Sequence, residues 1–471
     1  MIAHLRPRRA LGALTFVAAH VAAWVATCFA ATACAARNQS GPGAIGAAVG
    51  ATPDSWGGTW EGLVRVADEV PIPITITLRP EAVGLTGTLA ATELGPAPVP
   101  FASVTAAGDS LTLHLPAALH GPVYRGHRSA DGRRYEGVGE GVGVPVTFAL
   151  ARAGTPEARV LAGVSGRVMA SRAVAERLAA SALAESASVR RSGDPEAARL
   201  VTSDIPRFWA AVDRAGPGAS LNAPLGLAGD SLAALIQRDY LAPGSPGLHE
   251  FIPGRIRSAE DLAAAVRGQR ARYDASRAGT LRVAEAESGI RAVFRRFKAL
   301  YPAAVFPDVY VVVGRFSTIG TSSVHGTVIG AETVRDPAGV PALVAHELIH
   351  FQQHYPDRTL LEASYREGSA DFLGAMAAGV PVDNAAHRYG RAHERALWQE
   401  FRQRLDSTTF GPWLYSTPTG DRPADLGYFV GYRIAEAYYA RTDDKAQAVR
   451  DLVTARGGDV KGLVAASGYD P

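Results

Sequence analysis

Near residue 152 the sequence changes its hydrophobic period, and this change limits the architecture more than any other feature does. From Trp56 to about Arg152 the apolar residues fall in short runs: "GTWEGLVRV", "IPITITL", "VGLTGTL", "FASVT", "SLTLHL" and "PVTFALAR". They alternate in part and are separated by Gly, Pro and Asp turns, which predicts a small antiparallel barrel or sandwich. From about Val160 the texture turns helical. "SRAVAERLAASALAESASVRR", "DIPRFWAAVDRA", "SAEDLAAAVRGQRARY" and "VAEAESGIRAVFRRFKALYP" read as helices, with Asp204 as an N-cap and Pro206 in a first turn. "VYVVVGRF" reads as a buried strand and "SSVHGTVIGAE" as a second one. The expected class is α+β, with an all-β unit over 54–152 and a mostly helical domain with a small sheet over 153–471.

Composition excludes some functions. With 47% hydrophobic and 20% charged residues in 471, the chain is globular rather than disordered. A net charge of +3, with no dense basic stripe carrying interleaved aromatics, argues against a dedicated nucleic-acid binder. No serine has glycine at both −2 and +2, and no G-K-[ST] occurs, so neither a nucleophile elbow nor a P-loop is expected.

The motif with the most chemistry is "HELIH", residues 346–350. Random placement would produce an H-E-x-x-H about once in a hundred chains of this composition. His346 and His350, four apart, project from one face of a helix and can reach one zinc ion. Pro341 suits that helix's start and Pro356 its end. Glu347 is rotated about a third of a turn away and faces the metal's water rather than the metal. Zinc in such a frame lowers the pKa of its water to about 7, and the carboxylate takes the proton as the oxygen attacks a carbonyl. His354 lies about 12 Å along the axis from His346, too far to share the ion, and is expected to be structural.

Two candidates for the third ligand, Glu362 and Glu367, lie downstream at a workable distance. Gln353 and Pro356 break the metzincin pattern. Within "LLEASYREGSADFLG", Glu362 has Arg366 at i+4, the spacing of an ordinary helix ion pair. Glu367 has Asp371 at i+4, which puts two carboxylates on one face. Glu367 is the better ligand, with Asp371 accepting the free ring N–H of a ligand histidine.

HELIH followed 16 residues later by E-x-x-x-D resembles the gluzincin metallopeptidases. More closely, residues of about 201–471 are similar to a family of predicted bacterial zinc-dependent peptidases, largely an uncharacterised domain. The matching stretches are "FPDVYVVVGRF", "GTVIGAE", "AHELIHFQQ", "EGSADF" and "DLGYFVGYRIAEAYY". The resemblance implies a zincin-like domain with His346, His350 and Glu367 as zinc ligands, Glu347 as base and Asp371 orienting a histidine. It implies a peptide or protein substrate, laid along an edge strand for which "SSVHGTVIGAE" is the candidate. It also implies a tyrosine or histidine donor to the oxyanion, for which Tyr432 is the first choice and Tyr428 the second, beside a small-residue groove at Gly427 and Gly431. In the β unit, W-x-G (Trp60, Gly62), G-D-S-L and F-A-L-A-R resemble lipocalin-like domains attached to some secreted bacterial hydrolases, an accessory module by default. The rival reading is a non-catalytic metal-containing binding or structural protein of the cell envelope, which would have no need of Glu347.

The N-terminus bears on location. "MIAHLRPRRA" is a basic segment, and "LGALTFVAAHVAAWVATCFAATAC" is an apolar run ending in small residues, the layout of a secretory leader over 1–34. "ATAC" resembles a lipobox, with Ala31 where Leu is usual, and a flexible Gly/Ala-rich tether follows over 35–53. The alternatives are a plain cut near Ala33 or Ala35, or an uncleaved anchor. Both cysteines, Cys28 and Cys34, belong to this region, so no internal disulfide is expected after cleavage. Expressed in a bacterium with its leader, the protein should fractionate with membranes and begin at an acylated Cys34. Mass spectrometry of the mature N-terminus reads this directly, and an unmodified start in the soluble fraction would reject lipidation.

Overall fold

A computed structural model describes residues 56–66, 71–91, 94–116, 123–140, 146–184, 191–216, 231–353, 357–416 and 418–471. The leader with Cys28 and Cys34, the 35–53 tether, and His354 with Pro356 lie outside the described residues. The chain divides into two compact units near Ala170.

The first unit is an antiparallel barrel. Its strands are β1 (Gly58–Val66), β2 (Ile72–Pro80), β3 (Leu85–Ala91), β4 (Val99–Pro100), β5 (Ser103–Ala107), β6 (Ser110–His114), β7 (Val123–Arg128), β8 (Arg134–Glu140) and β9 (Val146–Arg152). β1 pairs with β2 and β9, and β2 and β5 both pair with β3, so eight strands close on themselves and β4 is a two-residue addition to β3. Of the two expected architectures, closure selects the barrel. Three separated stretches noted in the sequence meet here: Trp56 donates its indole N–H to the Gly108 carbonyl (3.2 Å), and the Arg152 guanidinium lies 4.8 Å from the ring centroid of Trp60. The interior cavity, of about 20 Å³, is lined by Val64, Ile76, Leu113, Phe148 and other apolar residues. That is room for about one water with no polar partner, so the interior is a packed core.

Helices follow in chain order: α1 (Pro156–Ala184), α2 (Asp204–Ala215), α3 (Ser231–Leu235), α4 (Pro246–Phe251), α5 (Ala259–Gly268), α6 (Arg270–Leu281), α7 (Glu287–Leu300), α8 (Val340–Gln352), α9 (Leu360–Ala378), α10 (Ala385–Phe401), α11 (Leu426–Arg441), α12 (Lys445–Thr454) and α13 (Gly458–Ser467). The expected N-cap role of Asp204 is corrected. Asp204 is inside α2 and fully buried, and its carboxylate accepts from the backbone N–H and hydroxyl of Ser245, the residue that caps α4. A buried carboxylate needs donors, and a neighbouring helix start supplies them.

Four strands, β10 (Leu200–Val201), β11 (Asp308–Val312), β12 (Gly320–Ser322) and β13 (Gly326–Gly330), form a sheet in the order β10-β11-β13-β12. β11 and β13 are parallel and buried at every residue. β12 runs antiparallel to β13, and among the described residues no strand pairs with its other edge. This corrects the sequence expectation about "SSVHGTVIGAE": its strand, β13, is interior, and the edge is the three-residue Gly-Thr-Ser strand that precedes it. Burial on both faces explains the apolar run in β13, while three small residues leave no periodic signal for β12.

Glu332, the last residue of "SSVHGTVIGAE", lies just after β13 and is 2% exposed. It accepts the N–H of Gly314 (2.8 Å) and of Phe316 (3.0 Å), holding the chain as it leaves β11. Burial pushes its pKa up from 4.5 to about 7. The folded state therefore binds a proton that the unfolded chain has lost between pH 4.5 and 7, so stability must fall as pH rises through that window. Relative to Glu332→Gln, the wild-type protein should lose up to about 3 kcal/mol between pH 4.5 and 8. Urea midpoints measured over that range test this, and parallel profiles for the two proteins would reject it.

Candidate metal centre

The motif lies on α8, with Pro341 in the first turn as expected and Val344, Leu348, Ile349 and Phe351 buried. The helix ends at Gln352, short of Pro356, because Gln353 has already turned into extended backbone. α9 starts with a side-chain cap: the Thr359 hydroxyl accepts the Glu362 N–H, and the Glu362 carboxylate reaches back past Thr359 to the Arg358 N–H (2.8 Å). This gives Glu362 its job and separates it from Arg366, which instead pairs with Asp357 at 3.0 Å. One turn further on, Glu367 faces the motif.

His346 Nε2, His350 Nε2 and Glu367 Oε2 converge, with separations of 3.0 Å between the two nitrogens, 3.0 Å from His350 to Glu367 and 3.5 Å from His346 to Glu367. Ligand atoms at tetrahedral angles and zinc distances of 2.0–2.1 Å stand about 3.3 Å apart, so the cluster has the dimensions of a zinc site. The hydrogen bonds behind the rings explain why the lone pairs converge. The Ser369 hydroxyl donates to the Arg366 carbonyl (3.2 Å) and so accepts from the Gln353 amide N–H (2.9 Å). The Gln353 oxygen then faces His350 Nδ1 at 2.9 Å, which must carry the proton and leaves Nε2 bare. For His346, Asp371 Oδ1 lies 2.8 Å from Nδ1 and fixes the same tautomer. Asp371 Oδ2 is 3.1 Å from His387 Nε2, and His387 is 1% exposed. Burial opposes the charge on Asp371, but the two imidazoles outweigh it and hold its carboxyl below the usual range. The same competition, with His350 as the strongest favourable partner, holds Glu367 well below its usual value.

Glu347 is nearly buried, and burial raises its pKa. The edge strand lies against it so closely that a Cβ added to Gly320 would sit 2.7 Å from Glu347 Oε1. The Tyr415 hydroxyl donates to Glu367 Oε1 at 2.8 Å, on the side away from the histidines. The Tyr428 ring stacks on His346 (6.1 Å, 18°), and its hydroxyl has no hydrogen-bond partner among the described residues. Tyr432 is elsewhere: one turn further along α11, its ring meets His387 (5.0 Å) and Phe372 (5.4 Å). Among the described residues, four non-glycine positions have positive φ: Arg257, Phe316, Tyr415 and Asp425. Each is in or beside a segment that frames this cluster, where backbone strain commonly concentrates.

The structure therefore brings together His346, Glu347, His350, Glu367 and Asp371, and puts Tyr428 rather than Tyr432 over the cluster. Gln353, Ser369, His387 and Tyr415 were not singled out from the sequence. None has a local spacing signal, except that Gln353 lies one helical turn after His350.

The full-length protein should hold about one zinc per chain, and His350→Ala or Glu367→Ala should abolish it. Gln353→Ala keeps all three ligands but frees the His350 tautomer, so zinc affinity should drop about 10- to 100-fold. Chelator competition with metal analysis measures this, and unchanged affinity in Gln353→Ala would show that the amide does not set the tautomer.

The model of a family described as Predicted Zn-dependent protease (DUF2268) matches residues 314–455. No curated protein matches the chain. The matched stretch runs from just after β11 to the end of α12 and contains His346, Glu347, His350, Gln353, Glu367, Asp371, His387, Tyr415 and Tyr428. This region of the helical unit is thus similar to a zinc-protease family that is itself known by prediction.

Proposed function

We propose that the protein is a zinc-dependent peptidase of gluzincin type, exported across a membrane and tethered by a lipid at Cys34. The observation that carries the peptidase reading is the convergence of three donor atoms, two of them on tautomer-locked imidazoles and one on Glu367, with the buried carboxylate of Glu347 next to His346 in the chain. His346, His350 and Glu367 would hold the ion, a count that leaves a fourth position open as in catalytic sites. Zinc bound there supplies Lewis-acid polarisation and lowers the pKa of water.

The chain's own groups do the rest. Glu347 takes a proton from the attacking water and returns it to the leaving amine, a task that suits a carboxylate whose pKa burial has raised. The open edge of β12, against Glu347, pairs with an extended peptide and presents its carbonyl to the centre. The Tyr428 hydroxyl donates to the developing oxyanion. Burial keeps its pKa well above the usual value, so it stays a neutral donor throughout the working pH range. Tyr432, the first choice from the sequence, is assigned instead to packing against His387. A metal site without catalysis would leave Glu347 and the open edge without a task.

Glu347→Gln should keep zinc and lose hydrolysis of a mixed peptide library. Tyr428→Phe should lower kcat by about a hundredfold with zinc retained, since a single oxyanion donor contributes that much, whereas Tyr432→Phe should stay within a few-fold of wild type. The reverse pattern for the two tyrosines would restore the role to Tyr432. Hydrolysis by zinc-loaded Glu347→Gln at the wild-type rate would reject the mechanism.

A further inference from the structure

Between α4 and α5 the chain makes a π-helical turn, Ile252–Ile256, that ends at Arg257 with φ 71°. Such turns are rare and are frequent at functional sites. The turn carries Arg255. Its carbonyl is anchored twice, accepting from Arg315 Nε (3.1 Å) and from the Ser317 hydroxyl (3.1 Å). Residues 315–317 lead directly into the edge strand β12, so the turn and that strand are tied together ahead of Glu347.

The Arg255 side chain is partly buried and interacts electrostatically with Glu347, Tyr415, Tyr428 and Glu367, all of which border the metal cluster. Burial lowers its pKa from the usual value, and those four groups act against the shift. Nevertheless, its guanidinium makes no hydrogen bond or ion pair with any described residue. Other partly buried or sheet-side arginines differ. Arg366, also close to Glu367, is paired with Asp357, and Arg199 at the far side of the sheet is paired with Asp308. Partial removal from water without a partner is costly for a charged group unless something else arrives to pair with it. A planar fork of donors is suited to a carboxylate, which it takes in bidentate fashion.

We propose that Arg255 is a specificity-determining residue that receives a substrate carboxylate, so that the preferred substrates are peptides bearing a carboxylate close to the scissile bond. The carboxylate comes either from the C-terminal residue, which would make the protein a carboxypeptidase, or from an Asp or Glu side chain. Both sources have the same chemistry. The inference rests on the peptidase reading above.

Two peptide series separate the sources: free C-terminal acids against their amides, and Asp or Glu against Asn or Gln beside the cleaved bond. The full-length protein, Arg255→Met and Arg255→Lys are compared on both by kcat/KM. Arg255→Met should lose about 10- to 100-fold on the acid member of one series and stay within twofold on its neutral counterpart. Arg255→Lys, which keeps the charge and the stem, should fold normally and lose part of the preference. The series in which the loss appears names the source. Equal losses on acids and neutral peptides would overturn the proposal and make Arg255 a general stabiliser of the oxyanion or of Glu347. Lack of any acid preference in the wild-type protein would also overturn it.

Binding provides an independent readout. The Glu347→Gln variant is titrated calorimetrically with the same peptides, with and without Arg255→Met. An acid preference of about tenfold or more that disappears with Arg255 supports the assignment even if no peptide is cleaved, in which case the peptidase reading fails and the carboxylate site stands. Equal affinity for acid and amide overturns the site, whatever the turnover.

Discussion

The centre depends on how closely two helices can approach. A Cβ added at Gly431 of α11 would lie 1.8 Å from the Ser364 carbonyl of α9, and one added at Gly368 would lie 2.1 Å from the backbone nitrogen of Tyr432. Main chain therefore packs on main chain at this crossing. Glu367 is the neighbour of Gly368, and Asp371 lies one turn beyond it. Tyr428 is three residues before Gly431. The crossing thus puts Glu367, the carboxylate that hydrogen-bonds His346, and the aromatic over His346 within one small volume. Any side chain at these glycines would separate them.

A second constraint is electrostatic. Three lone pairs directed at one point, largely out of water, repel each other unless a cation or proton is present, so the rings must be prevented from turning away. The restraint comes from four places in the chain: Asp371 on α9, Gln353 just after α8, Ser369 behind it on α9, and Tyr415 in the turn before α11. His387 on α10 holds the far oxygen of Asp371. Each buried polar atom in this chain of contacts has a partner, which gives the network a single arrangement rather than several.

The two sheets treat their edges in opposite ways. The barrel closes on itself through β3, which meets β5 at the pair Leu85–Val104, so each strand of the ring has a neighbour on both sides among the described residues. The small sheet in the helical unit stops at β12, whose outer side is open next to Glu347. An open edge is a liability that folds usually suppress. Leaving one beside a buried carboxylate fits strand addition by an extended peptide.

Much of this was legible from the sequence because its signals are local. The change of period near residue 152 separates strands from helices. Four-residue spacing puts His346 with His350 and Glu367 with Asp371, since a helix repeats every 3.6 residues whatever surrounds it. The pair Gly427 and Gly431 likewise marks a close contact without naming the partner. Tertiary structure alone decided the rest. Tyr428 and Tyr432 are equivalent in sequence, and only the crossing of α11 over α9 puts the first against His346 and the second against His387. The edge of the sheet is a three-residue strand of small residues, with no periodicity to reveal it. Gln353, Ser369, His387, Tyr415 and Arg255 acquire their partners, or lack them, through contacts that no local repeat encodes. The chain's short-range order determined which residues could serve a metal, and long-range packing determined which of them converge.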